Sequence, residues 1–116
     1  MLSALAASVS SSAANAEAST SEMLAVIDGG GDAVASDKVR LWINGSVSGL
    51  TWANAELESK HRPKLFCTPA QLQLTLDGDV DILRQYLKRH PNDATERAGM
   101  VMMEAMQEKF PCPKGT

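Results

Sequence analysis

The stretch SDKVRLWINGSVSGLTWANAELES, residues 36–59, constrains the fold most. Its apolar or small residues fall at Val39, Trp42, Ile43, Ser46, Val47, Leu50, Ala53, Asn54 and Leu57. Steps of three and four, held for five turns, define one face of an α-helix. Ser36 or Asp37 is placed to cap its start. Gly45 and Gly49 interrupt it four residues apart, hence on one face. Each glycine costs about 1 kcal/mol relative to alanine in a helix interior. A helix that carries two of them is expected to let a neighbouring backbone come close there. Asn44-Gly45-Ser46 matches a glycosylation sequon, but a helical setting argues against its use.

The other segments read as helices too. SEMLAVID, residues 21–28, places Met23, Leu24 and Ile27 on one face, with Ser21 as its cap. The glycines of the loop 29–32 stop it. This is no phosphate loop, because no Gly-Lys-Ser/Thr follows. SKHRPK, residues 59–64, is a basic loop ended by Pro63. The connector 65–79 holds a short turn at Pro69–Leu72. DVDILRQYLKRH, residues 79–90, has a core face of Val80, Leu83, Tyr86 and Leu87. Asp77, Asp79 and Asp81 crowd its start and Lys88 and Arg89 its end, the signs that suit the helix dipole. The last helix, residues 93–110, buries Ala98, Val101, Met102, Ala105 and Met106. Met100 and Met103 fall off that face and suit a wider core better than an interface. No segment alternates as a strand does, and no repeat is present. The class is all-α, a small bundle of four to five helices with short loops.

Length allows one domain of 116 residues. Hydrophobic residues make up 44% and aromatics 4%, so the core must be built from Leu, Val, Ile, Ala and Met. A net charge of −3 argues against a nucleic-acid partner. No run reaches the roughly 18 apolar residues of a membrane span. Residues 1–20 are rich in Ala and Ser, with no charge before Glu17. Ala14 and Ala16 resemble a signal-cleavage site, although a basic start is missing. The arm is either a secretory signal remnant or a disordered Ala/Ser extension. Residues 21–113 then form the domain and 114–116 a tail.

Cys67 and Cys112 are the two cysteines, each preceded by a Phe-containing turn and followed by proline. In a small exported domain such a pair is most simply a disulfide. It would close a loop of about 46 residues and contribute roughly 4 kcal/mol on the chain-entropy model. Other chemistry fits poorly. A calcium loop counted from Asp77 would need Gly and Glu where Ile82 and Lys88 stand. The wide separation of the cysteines, with His61 and His90 in a loop and at a helix end, does not suit zinc. No nucleophile–histidine–acid set or cofactor motif appears. The chain reads as a binding protein, not an enzyme, and without a cofactor.

The order LWINGSVSGLTWANAEL, LFCTPAQLQLT, DILRQYLKRHP and FPCP resembles that of Rap/Tai-type immunity proteins over residues 22–113. The most specific elements are the glycine-containing helix from Trp42 to Gly49 and the frame that runs from Phe66-Cys67 through His90-Pro91 to Phe110-Pro111-Cys112. The resemblance implies a small helical periplasmic protein that binds a type VI secretion toxin, typically a peptidoglycan amidase, and blocks its cleft. It also implies that a homodimer is open to the chain. By position, Cys67 and Cys112 match the family's later cysteine pair. The earlier pair that many members carry is missing from MLAVIDGG and VRLWINGS. Binding loops on the helical scaffold are expected at 29–32 and at Lys60, His61, Arg62 and Lys64, whose cations would meet an acidic toxin surface. The alternative is a small periplasmic stress protein or chaperone with no toxin partner. Exposure of apolar surface as pH falls would distinguish it.

Overall fold

The computed structural model describes residues 17–114. The expected arm lies outside these up to residue 16, as do the last two residues of the tail. Among the described residues there are four α-helices: α1 (Thr20–Asp28), α2 (Ala33–Ser59), α3 (Leu76–Arg89) and α4 (Ala98–Lys109). A short 3-10 helix, Pro91–Thr95, joins α3 to α4. The all-α class with one disulfide is therefore present. The 27-residue α2 is the spine, and the other three helices pack on it.

Helix starts differ from expectation, and in each case an earlier or remote side chain supplies the cap. Ser19, not Ser21, accepts the Glu22 amide at the start of α1. Asp32, not Ser36 or Asp37, caps α2 by accepting the Val34 amide, so the helix begins earlier, at Ala33. Thr75 accepts the Gly78 amide and starts α3 ahead of the aspartates. Helix α4 begins at Ala98 and not at Asp93, because residues 91–95 wind more tightly after Pro91. Its Ncap residue, Arg97, supplies no side-chain cap. Glu17 does so instead, accepting the Gly99 amide through Oε1. The chain around it is fastened as well. Ser19 and Arg97 form an isolated antiparallel bridge, and the Thr20 amide donates to the Glu96 carbonyl at 2.9 Å.

The core joins Ile43 and Val47 of α2 to Leu83 and Tyr86 of α3 and to Val101, Met102 and Met106 of α4, with Leu24 of α1 and Phe66 closing it. All five expected core positions of α4 are buried. The buried residues of α2 keep the anticipated spacing, but Trp42 sits at the rim, 37% exposed, and Ala53 faces outward. Met100 is 43% exposed and so lies outside the core where it was expected; Met103 is half-buried.

Three fastenings hold the segment Leu65–Cys67 against the bundle. The Asn54 side chain accepts the Leu65 amide at 2.7 Å and donates to the Phe66 carbonyl at 2.9 Å. The Cys67 amide donates to the Phe110 carbonyl at 2.8 Å. Cys67 and Cys112 are disulfide-bonded, with Cα atoms 4.9 Å apart. Phe66 is thereby driven into the core, 1% exposed. At the other end, Asp28 and Arg84 tie α1 to α3 at 2.6 Å, and Arg40 pairs with Asp77.

Replacing both cysteines by serine should lower unfolding free energy by about 4 kcal/mol in urea titration, the stability expected from closing this loop. Asn54→Ala leaves a buried N–H and a buried carbonyl without partners. It should cost about 2–4 kcal/mol in the same measurement, whereas Ser59→Ala, on the exposed surface, should change little.

Candidate partner-binding surfaces

Helix α2 ends in a closure that aims the basic turn outward. The Arg62 amide donates to the Leu57 carbonyl at 2.9 Å and the His61 amide to the Glu58 carbonyl at 3.0 Å. These are the two bonds of a Schellman motif, which needs a left-handed residue just past the helix. Glycine usually fills that place. Here His61 does, at φ 57°. The turn is thus held by local hydrogen bonds despite an unfavourable residue. The next residues leave the helix axis and reach the disulfide within five positions. Glu58, His61, Arg62, Pro63, Lys64 and Cys67 line a shallow cleft there.

The charge of this turn is smaller than its sequence implies. Lys60 Nζ lies 2.7 Å from Glu56, and Lys64 Nζ lies 3.1 Å from Glu58. Both pairs are solvent-exposed, so they screen the cations without adding much stability. His61 and Arg62 have no ion pair among the described residues. The other expected loop, 29–32, is exposed. Its glycines have local work. A Cβ on Gly29 would meet the Ala25 carbonyl oxygen at 2.7 Å, and Gly30 adopts φ 67°.

Gly45 and Gly49 lie on the outer side of α2. A Cβ on either would meet no atom of the described residues within 4 Å. No helix of this chain therefore makes the expected close approach there among the described residues. The core forms on the side of Ile43 and Val47, which leaves the glycines facing away. The same outer stripe carries Val34 (60% exposed), Leu41 (62%) and Trp52 (74%) at helical spacing. The glycines and these apolar residues make one face that no other described residues cover.

Where α2 passes the connector, Asn44, Val47, Ser48, Thr51, Trp52, Thr68, Leu72, Leu74 and Asp79 line a cleft of about 430 Å³. Asp79 departs from the capping role expected of it. Asp77 pairs with Arg40 and Asp81 lies 3.8 Å from Arg84, but the Asp79 side chain turns inward, 1% exposed. Its Oδ1 has no hydrogen-bond partner among the described residues. Burial alone pushes its pKa up from 3.8 to about 6. The sequence signal for this was thin, since three aspartates at alternate positions look equivalent until the helix start is known.

Among the described residues no group of His, Cys, Asp or Glu is arranged to hold a metal ion. The two cysteines are joined to each other and leave no thiolate. His90 lies 2.6 Å from Glu108 and stacks on Tyr86, far along the chain from His61.

Because the folded state holds the Asp79 proton more tightly than the unfolded chain does, the stability that this group contributes is complete below about pH 4. It is lost as pH rises through 6. Asp79→Asn should therefore raise stability at pH 7.5 by up to roughly 3 kcal/mol. That advantage should vanish near pH 4, as read by urea unfolding at the two pH values.

The family model of Rap1a immunity proteins matches residues 6–112. No curated protein and no solved structure gives a significant match.

Proposed function

The chain belongs to the Rap1a immunity protein family, and we propose that it neutralises a type VI secretion toxin of the peptidoglycan amidase class by binding it and occluding its active site. One observation carries this reading beyond the family: the exposed turn Lys60–Lys64 is fastened on both sides. The Schellman closure holds one side of it, and the Cys67–Cys112 bridge with the Asn54 clasp holds the other. A turn already ordered before binding loses little conformational entropy on entering a cleft. Lys60, His61, Arg62 and Lys64 present hydrogen-bond donors there, and Arg62 carries the positive charge that Glu56 and Glu58 leave unpaired, suited to an acidic rim.

The setting supports a periplasmic site of action. Disulfides persist in oxidising compartments, and peptidoglycan lies in one of them. Among the described residues no helix is long and apolar enough to cross a membrane. The chain acts as a binding protein and not as an enzyme. The stripe of Gly45 and Gly49 with Val34, Leu41 and Trp52 is the face on which a helix of another molecule could pack closely, whether a second copy or the toxin.

The deciding experiment pairs the chain with an amidase toxin encoded beside it. Binding by calorimetry and inhibition of peptidoglycan hydrolysis are measured together. Replacing Lys60, His61, Arg62 and Lys64 by glutamine should weaken association several-fold and flatten its salt dependence. Unchanged binding and unchanged salt dependence would remove the turn from the interface.

A further inference from the structure

Asp79 is a buried carboxylate with no ion-pair partner among the described residues. Burying an ionised carboxylate without a partner is costly, and proteins seldom keep one at a structural position. The group lines the cleft between α2 and the connector. No lysine, arginine or histidine lines that cleft. Arg40 of α2 and Arg84 of α3 are engaged elsewhere, Arg40 with Asp77 and Arg84 with Asp28 and Asp81. Among the described residues, then, no basic side chain lines the cleft beside Asp79.

We propose that this cleft receives an arginine side chain of the partner protein, with Asp79 as its counter-charge. The rest of the cleft selects arginine over lysine. Trp52 stands at the cleft with 74% of its surface exposed, and its indole offers a face on which a planar guanidinium stacks. Asn44, Ser48, Thr51 and Thr68 contribute side-chain oxygens that accept the remaining guanidinium N–H groups. Among the described residues the Asp79 Oδ1 accepts no hydrogen bond, which leaves that oxygen to accept one from an incoming cation. The inference rests on the reading of the chain as a toxin-binding protein. It adds a second anchoring point on the connector side of α2, distinct from the basic turn and of opposite charge.

The test uses the intact chain and N-acetyl-arginine amide as the probe. The indole N–H resonance of Trp52, assigned with Trp52→Phe, is followed by NMR during titration. A saturable shift is expected with the arginine amide and none with the uncharged citrulline analogue. The lysine analogue should bind several-fold more weakly. Asp79→Asn should weaken the arginine response by at least about tenfold. Absence of a saturable shift would overturn the proposal. So would an equal response to citrulline or lysine, or one unaffected by Asp79→Asn. If Asp79→Asn did not fold, the citrulline and lysine arms on the unaltered chain would still decide. An altered oligomeric state of Asp79→Asn, without any arginine response, would make a second copy the occupant and reject the proposal. Should the chain bind no amidase and yet show the arginine response, the functional reading fails and this inference stands. Amidase binding that Asp79→Asn leaves unchanged, without an arginine response, has the opposite meaning.

Discussion

The fold is closed at Leu65–Cys67. This segment is irregular, so its backbone groups have no helix to satisfy them. Buried and unpaired, each would be destabilising by about as much as a lost hydrogen bond. Asn54 solves this for two of them with one amide, and the Phe110 carbonyl takes the amide of Cys67. The disulfide then joins the segment to the exit of α4. Phe66 can enter the core only because its neighbours are held on both sides. Through this one clasp the end of α2, the connector and the end of α4 become a single unit.

Two properties of the surface follow from that clasp. The basic turn lies between the end of α2 and the clasp, so both its ends are anchored while its residues stay exposed. The cleft beside Asp79 lies where the connector, held at Cys67, folds back along α2 towards the start of α3. The cap at Thr75 sets where α3 begins. Starting the helix at Leu76 places Asp79 on the side of Val80 and Leu83, which face the core. The same choice leaves Asp77 and Asp81 at the surface beside Arg40 and Arg84. Three aspartates with one local spacing thus acquire three different environments.

The second end of the bundle is organised by remote capping. Helix α4 has no cap of its own, and Glu17 provides one across the bridge between Ser19 and Arg97. The residues just before α1 therefore belong to the packing of α4. This couples the first and last helices, which hardly touch through their core faces, by backbone and side-chain hydrogen bonds. Meanwhile, among the described residues, the outer stripe of α2 stays uncovered from Val34 to Trp52. One helix serves as the spine of the core on one side and as an open face on the other.

Much of this was determined by local sequence. The three-and-four spacing from Val39 to Leu57, the buried positions of α4 and the all-helical class are readable because periodicity depends on neighbours along the chain. The cysteine pairing was legible because two cysteines in a small chain admit one intramolecular bridge. Family resemblance carried the functional reading further than any single motif did. Tertiary structure alone decided the rest. Asn54 looked like one more small residue on a helix face, and only the arrival of Leu65 and Phe66 made it a clasp. Gly45 and Gly49 shared a face, but which face was buried depended on where the other helices packed. The four cations of the basic turn were visible, whereas their screening by Glu56 and Glu58 required side-chain positions. The burial of Asp79 depended on the start of α3 and on the path of a loop with no periodicity to read. Spacing along a chain reports which residues share a side, and burial reports what lies against that side, which is a property of the folded whole.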